Sequence, residues 1–318
     1  MGSKVSVIIP NYNHAAYLHH RIDSVLKQTL QPFEIIILDD CSTDSSVEII
    51  QSYVSIHPTI QFIKNDINSG STFAQWNKGV SLAKGDLIWI AESDDTAAPT
   101  FLQNMIPCFN NKEVVIAYCQ SYRMNKDNTI TGNWKTHTDE FDESIFNNDF
   151  VMNGKEYIER FLIHKNTIPN ASAAIFKKNM YEKTGGAIPK VKNQGDWLVW
   201  LQLLCIGDVG FVSASLNNFR YHEESVIAKS LRLDNNNSFK DWYGLEVRKY
   251  FSVFFINFSV RLNDKLIKIN QHYTSVDLVN LGFHQLKSKN YFTGWKLILH
   301  ASLFPKINLG VLKRAIFK

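Results

Sequence analysis

The sequence predicts an α/β fold built on a mostly parallel sheet. Three observations carry the prediction. Short β-branched apolar runs punctuate the opening third of the chain, helical periodicities lie between them, and each run ends in a cluster of amide or acidic side chains. Runs that are apolar throughout belong to strands buried on both faces, and strand–helix alternation marks a parallel sheet flanked by helices.

The elements follow in order. Val5-Ser6-Val7-Ile8-Ile9 is the first strand, expected to stop at Pro10, which has no amide hydrogen to donate. Leu18, Ile22, Val25 and Leu26 then fall at helical spacing, up to a break at Gln31-Pro32. Glu34 to Leu38 is the second strand, and Ser45 with Glu48 has the spacing of a capping box opening the next helix. Ile60 to Ile63 is the third strand. A helix around Phe73 to Ala83 leads through Gly85 to the fourth, Asp86 to Ala91. Val114 to Tyr118 reads as a further strand, and the polar, acidic stretch from Trp134 to Phe150 as a loop or insertion. Gly154 to His164 is helical. Ala173 to Phe176 is a short strand before a helix closed by Gly185-Gly186. Asp196 to Cys205 is an apolar helix and Gly210 to Ser215 a strand. From about Lys240 the pattern is helical and aromatic.

Composition excludes several classes. A chain of 318 residues that is 45% hydrophobic and 20% charged has apolar mass for a core, against wholesale disorder. A net charge of +4 is too small for a nucleic-acid binder. Cys41, Cys108, Cys119 and Cys205 form no C-x-x-C pair, so neither a zinc site nor a redox dithiol is suggested, and a reduced, cytoplasmic setting is expected. No signal-peptide pattern opens the chain. No apolar run approaches the roughly 18 residues of a membrane span. Phe251 to Val260 is the nearest, and it is too short. From Leu278 to Lys318 there is no Asp or Glu, but Lys287, Lys289, Lys296, Lys306, Lys313, Arg314 and Lys318 are present. Mixed with Tyr291, Phe292, Trp295, Ile316 and Phe317, this region reads two ways. It lies on the inner face of an anionic membrane, or it is a helical hairpin packed on the catalytic domain with a solvated basic face.

Ligands of open α/β sheets gather beyond the carboxyl ends of the strands. The residues there are Asn11, Tyr12 and Asn13; Asp39 and Asp40; Asn65, Asp66 and Asn68; and Glu92, Ser93, Asp94 and Asp95. A scaffold needs no such polarity at every strand end. Glu92-Ser93-Asp94-Asp95 can face one hard divalent cation, Mg2+ or Mn2+, which in turn bridges phosphate oxygens; the structural alternative is a turn and helix cap before Pro99. Asp39-Asp40-Cys41-Ser42-Thr43-Asp44 offers a carboxylate, Asp39, to the ring N–H of a pyrimidine, or else an N-cap. Asp196, at a helix start beside Trp197 and Trp200, suits a general base or a simple helix-dipole partner. Arg220 and His222 can meet a diphosphate, and His222 a metal.

The ordered set resembles the family 2 glycosyltransferases over roughly residues 4 to 228. It comprises Ile9-Pro10-Asn11-Tyr12-Asn13, Asp39-Asp40-x-Ser42-Thr43-Asp44, Asn68-x-Gly70 to Asn77-x-Gly79, Gly85-Asp86 to Glu92-Ser93-Asp94-Asp95, and Gly195-Asp196-Trp197-x-x-Trp200. The resemblance implies a GT-A fold over 1–228, with a donor half to about 120, an acceptor half beyond it, and a helical extension over 229–318. It implies transfer with inversion from a nucleotide-sugar, UDP-linked in the first instance, to a glycan or lipid-linked saccharide in bacterial surface-polysaccharide assembly. By the same resemblance Pro10, Tyr12, Asp39 and Asp40 line the donor pocket, with Asn77 near the base or ribose. Asp94 is the main metal ligand with Glu92 nearby, Asp196 the base, and His222 a holder of metal or diphosphate.

Two departures stand out: Glu92 where the family has Asp, and Gly195 where it often has Glu. They are the support for a rival reading, a degenerate sugar-nucleotide-binding scaffold, which Asp94, Asp196 and His222 oppose. A sugar nucleotidyltransferase is disfavoured because Pro10-Asn11-Tyr12-Asn13-His14 contains no glycine, and a dehydrogenase because no G-x-G-x-x-G follows the first strand.

Overall fold

The computed structural model describes residues 3–168, 170–191, 194–222, 239–257 and 264–303. Strands β1 (Val5–Asn11), β2 (Glu34–Asp39), β3 (Ile60–Lys64) and β4 (Leu87–Ile90) are parallel and lie in the order β3-β2-β1-β4. Side chains alternate across a strand, so an unbroken apolar run supplies both faces. Ile8, Ile36, Leu38, Ile88 and Ile90 enter one core cluster, while Val7, Ile9, Ile35, Ile37 and Trp89 enter the other. Between these strands run helices α1 (Ala15–Leu26), α2 (Ser46–Val54) and α3 (Thr72–Leu82).

Strand β1 continues through Pro10 instead of stopping at it. Even-numbered residues of β1 bond toward β4, as in the Ala91 N–H to Ile8 carbonyl bond, while Asn11 bonds β2 through the Asp40 amide. Pro10 therefore lacks its donor on the β4 side, where β4 has already ended at Ile90. The expected capping box of α2 does not form either. Ser45 makes no side-chain cap bond. Asp44 takes that role, its Oδ1 accepting from the Ser46 amide (3.0 Å) and its Oδ2 from the Ala15 amide (2.9 Å), so one carboxylate secures the starts of both α2 and α1.

The second half is mixed. After β5 (Thr96–Ala97) and α4 (Phe101–Met105) come the long β6 (Val114–Met124), β7 (Ile130–Asn133), α5 (Thr136–Phe146), β8 (Phe150–Met152), α6 (Gly154–Tyr157), β9 (Ala174–Lys177), α7 (Lys178–Lys183), α8 (Gly195–Leu204) and β10 (Asp208–Arg220). The full order is β3-β2-β1-β4-β9-β6-β10-β5, with β9 antiparallel to both neighbours and β10 parallel to β6. Strands β6 and β10 run past the expected Tyr118 and Ser215 because their polar continuations satisfy each other: Asn217 Nδ2 donates to Ser121 Oγ at 3.1 Å in the buried interior. The stretch expected as a loop contains α5, kinked at Asp142. Phe146 on that helix packs against Phe161 and Phe211, with ring centroids 5.0 and 5.6 Å away.

Among the described residues three helices follow: α9 (Phe239–Asn257), α10 (Asp264–Lys287) and α11 (Tyr291–Ala301). Helix α9 docks on α8, with Phe251 edge-on to Trp197 at 5.2 Å. Arg248, almost fully buried, donates from Nε to Asp277 Oδ2 (2.7 Å) and from Nη1 to the Ile163 carbonyl (3.1 Å). Helix α9 is thus docked on α8, and α10 is tied to it through Arg248. No helix of the described residues is long and apolar enough to cross a membrane. The expected domain boundary at 228, and Lys306, Lys313, Arg314, Ile316, Phe317 and Lys318, lie outside the described residues.

Candidate active site

The acidic loop Glu92–Asp95 leaves β4 and meets two other strand ends, those of β1 and β10. Buried charge holds it from behind. Arg21, fully buried on α1, donates from Nε to the Glu92 carbonyl (2.8 Å) and from Nη2 to Ser172 Oγ (3.1 Å), and lies 4.0 Å from Asp95. Burial pulls this guanidinium down to about 10 despite the carboxylates around it. Asp95 accepts from the Arg220 amide (2.8 Å) and from Asn170 Nδ2 (3.1 Å). Burial and the neighbouring Asp94 charge raise Asp95, against the pull of Arg21.

The outward carboxylates differ from it and from each other. Glu92 Oε1 accepts from Trp76 Nε1 at 2.9 Å on α3, and burial, then the Asp94 charge, push this carboxyl up to about 8. Asp94 goes the other way. Burial would raise it, but the hydrogen bond from His222 and the charges of His14 and His222 outweigh burial and hold the carboxylate below its ordinary range. His222 Nε2 lies 3.0 Å from Asp94 Oδ2. His14, just before α1, contacts Ser93 Oγ through Nδ1 at 2.8 Å. The rings of His14 and His222 stand 5.7 Å apart, with Tyr17 4.8 Å from His222.

His14, Asp94 and His222 each present one ligand atom, all within 4.8 Å of one another. Two ligand atoms at right angles on an ion with ~2.1 Å bonds stand ~3.0 Å apart, as His222 Nε2 and Asp94 Oδ2 do. His222 Nδ1, on the far side of that ring, is buried and has no hydrogen-bond partner among the described residues; it is separate from the Nε2 that would meet an ion. The donor set and its spacing fit a divalent cation.

A second carboxylate, Asp196, begins α8. Burial raises it above the ordinary range, opposed by the Trp197 amide and by Asn166 Nδ2, which donates to Oδ2 at 3.0 Å. Asn166 is itself positioned by α5, whose His137 Nε2 contacts its carbonyl oxygen at 2.7 Å. Helix α3 ties this region to the acidic loop: Trp76 bonds Glu92, while Phe73, three residues earlier, packs on Gly195. A Cβ at Gly195 would stand 2.5 Å from Phe73 Cε2. The Phe73 ring thus fills the space that a side chain at 195, before Asp196, would need.

Several residues expected at the donor are engaged elsewhere. Tyr12 is exposed, and Pro10 is buried within β1. Asp39 is fully buried, with one oxygen accepting from Asn11 Nδ2 (2.8 Å) and the other from the Ser42 amide (2.9 Å). Asp40 accepts from Asn65, Ser69 and Gln75, ordering the loop before α3. Asn77 donates to the Ala187 carbonyl and accepts from Tyr181 Oη and the Ala187 amide, which pins α3 to the turn after α7. Arg220 is fully buried. Its guanidinium donates to the carbonyls of Asp94, Asn125 and Lys126 and to Asn128 Oδ1. Sequence reasoning missed His14, Arg21, Trp76 and Asn166. Of these only His14 carried a signal, as the residue directly after the amide cluster that ends β1.

The model of "Glycosyl transferase family 2" matches residues 6–185, more than half of the chain. A glycosyltransferase of Streptococcus pneumoniae, GlyG, is 23% identical over 62% of this chain and 76% of its own length. A Bacillus subtilis protein described as a putative teichuronic acid biosynthesis glycosyltransferase, TuaG, is 29% identical over 67% of this chain and 75% of its own. Among solved structures, S. aureus TarS residues 1–349 in complex with UDP-GlcNAc has a TM-score of 0.60 at 14% identity, covering 96% of this chain and 93% of that one. A Pyrobaculum calidifontis mannosyltransferase in complex with GDP-Man and Mn2+ has a TM-score of 0.62 at 14% identity, covering 99% and 79%. With the family model spanning the parallel strands, the acidic loop and much of the mixed half, the chain belongs to glycosyl transferase family 2.

Proposed function

We propose that the chain is an inverting transferase that moves a sugar from a UDP-linked donor to a hydroxyl of a cell-surface glycan or a lipid-linked saccharide. One observation supports the reading. Helix α3 meets both acidic regions, Trp76 donating to Glu92 of the loop that carries Asp94 and Phe73 packing on Gly195 beside Asp196.

In this reading the nucleotide lies over the carboxyl ends of β1 and β2, against the exposed Tyr12. Asp39 and Asp40 order the floor beneath it. Asn77 braces α3, and Arg220 positions Asp94 through its backbone carbonyl. His14, Asp94 and His222 would hold a divalent cation, which supplies charge neutralisation to a leaving diphosphate. Asp196 accepts the proton of the acceptor hydroxyl, and its raised affinity for protons brings it toward the operating pH. Asn166 fixes the orientation of that carboxylate. The hydroxyl then attacks the anomeric carbon opposite the departing diphosphate, with no enzyme-bound intermediate, and the pocket contributes orientation.

Two relatives support the substrate class: TuaG, described as acting in teichuronic acid biosynthesis, and a poly(ribitol-phosphate) β-glucosyltransferase of Bacillus spizizenii that is 37% identical over 29% of this chain. The membrane reading has its own support. Phe292, Trp295, Leu299 and Leu303 are exposed at helical spacing along and just past α11, beside the exposed Lys287, Lys289 and Lys296. An apolar stripe rimmed by lysines complements an anionic lipid surface. Co-sedimentation with anionic vesicles at low salt tests it; no retention would sink that part alone. The reading of the reaction is tested by nucleotide release across a panel of nucleotide sugars with Mn2+, Mg2+ or chelator. Metal-dependent turnover of a UDP-sugar is expected. Silence from every donor would favour the scaffold reading.

A further inference from the structure

We propose that His14 is a third protein ligand of the metal, and that the resulting His14–Asp94–His222 site takes a divalent ion of the Mn2+ class before any nucleotide arrives. The proposal rests on the glycosyltransferase reading only for what the ion later meets.

The argument starts from denticity. A site with a single carboxylate binds a divalent cation weakly and needs substrate phosphates to complete it. Here three side chains from three strand ends converge, with their ligand atoms within 4.8 Å. The cluster is also built and not incidental. His14 and His222 stand with rings 5.7 Å apart, on elements fixed from behind by buried groups. His222 is 5% exposed. Its strand is locked to the acidic loop by the Arg220 amide on Asp95 and the Arg220 guanidinium on the Asp94 carbonyl.

His14 has the second contact that metal-ligating histidines ordinarily show. A ring nitrogen engaged by an outer partner fixes tautomer and orientation. Ser93 Oγ meets Nδ1 at 2.8 Å, which makes Nε2 the ligating nitrogen. Ser93 is buried and belongs to the acidic loop itself, so the loop that carries Asp94 also aims His14. This gives Ser93 a use, between Glu92 and Asp94, that the turn alone does not require.

The donor set narrows the ion. Mg2+ prefers oxygen ligands and keeps several waters, whereas imidazole suits first-row transition metals. Two imidazoles and one carboxylate therefore favour a first-row transition ion over Mg2+, and Mn2+, which also accepts carboxylate and water, is the probe. Three protein ligands leave positions on an octahedral ion for phosphate oxygens and water.

The test contains no donor. Chain stripped by chelator is titrated with Mn2+ alone, free ion being read by electron paramagnetic resonance and bound ion by its nitrogen couplings. One Mn2+ per chain with couplings from two imidazoles is expected. His14→Ala should lose one coupling and weaken Mn2+ by about 10- to 100-fold, and Ser93→Ala, which removes only the outer contact, by about tenfold. Mg2+ competition should be poor in the wild type. Circular dichroism of the metal-free variants controls for folding. If His14→Ala does not fold, Ser93→Ala and the wild-type couplings still decide. The proposal is overturned if Mn2+ binds only when nucleotide is added, if a single nitrogen coupling is seen, or if His14→Ala binds as the wild type does. Mn2+ binding without turnover of any donor would sink the proposed reaction and leave this site standing; turnover with metal held only in the presence of nucleotide would do the reverse.

Discussion

Replacing Asn166 by Ala isolates how the proposed base is tuned. The Asn166 amide donates to Asp196 Oδ2 at 3.0 Å and favours the ionised carboxylate. Burial works against ionisation, so the carboxylate sits above its ordinary range with this bond in place. A hydrogen bond to a charged group is worth about 1.5–3 kcal/mol. Asp196 is only half-buried, so water will replace part of the loss, and ~1.5 kcal/mol corresponds to about one pKa unit. The sign is upward, because the variant loses a donor to the charged form. The acidic limb of the kcat/KM profile should move up by about one pH unit, with the alkaline plateau little changed. Well below that limb the rate falls about tenfold. Nucleotide release from the donor, with water as acceptor, measures this across pH. Asn166→Asp, which sets a like charge beside the base, should move the limb further in the same direction. An unmoved limb with a lowered plateau would refute the tuning argument and assign Asn166 to acceptor contact instead.

Three further perturbations follow from contacts described above. Gly195→Glu, which restores the residue common in the family, forces a Cβ against Phe73, whose ring is backed by Trp76 at 5.1 Å. Overpacking of this kind costs about 1–3 kcal/mol, visible as a lowered Tm, and part of it should return in a Phe73→Leu background. Equal losses in both backgrounds would refute the steric account. Trp76→Phe removes the donor to Glu92 and should reduce kcat/KM about tenfold, with a stability loss of ~1–2 kcal/mol, measured by kinetics and denaturant titration. Arg248→Ala leaves Asp277 without its partner and the Ile163 carbonyl without a donor; a loss of about 3 kcal/mol in urea unfolding is expected, and a change near zero would show that α9 contributes little to the docked state.

The donor half was legible because parallel strands buried on both faces must be apolar throughout, which Ile35-Ile36-Ile37-Leu38 and Leu87 to Ala91 display openly. The acidic loop and the helix at Asp196 were legible for the complementary reason: polar residues at a strand end or helix start are conspicuous against such runs. Direction was not legible. Asp40, Asn77 and Arg220 have the chemistry of ligand contacts, but amides, carboxylates and guanidinium groups serve equally to satisfy loop carbonyls and amides, and that is where these side chains point. The residue before the α2 cap, Asp44, outcompeted the Ser45 box because its carboxylate reaches two helix starts at once. Helix α5 hid in a polar stretch because few apolar side chains anchor it: Phe146 is buried, while Phe141 and Ile145 are partly so.

Strand β10 has a consequence for the order of events on the ribosome. His14 and Asp94 emerge early, but His222 lies 128 residues beyond Asp94, after the strand that pairs with β6 across the middle of the sheet. A nascent chain with only its donor half exposed has β1 to β4 in hand and still lacks the third corner of the cluster. Competence for the ion therefore arrives late in synthesis, together with the closure of the sheet. On the proposed reading, partial products of translation would hold β1 to β4 and still lack the His222 corner of the cluster.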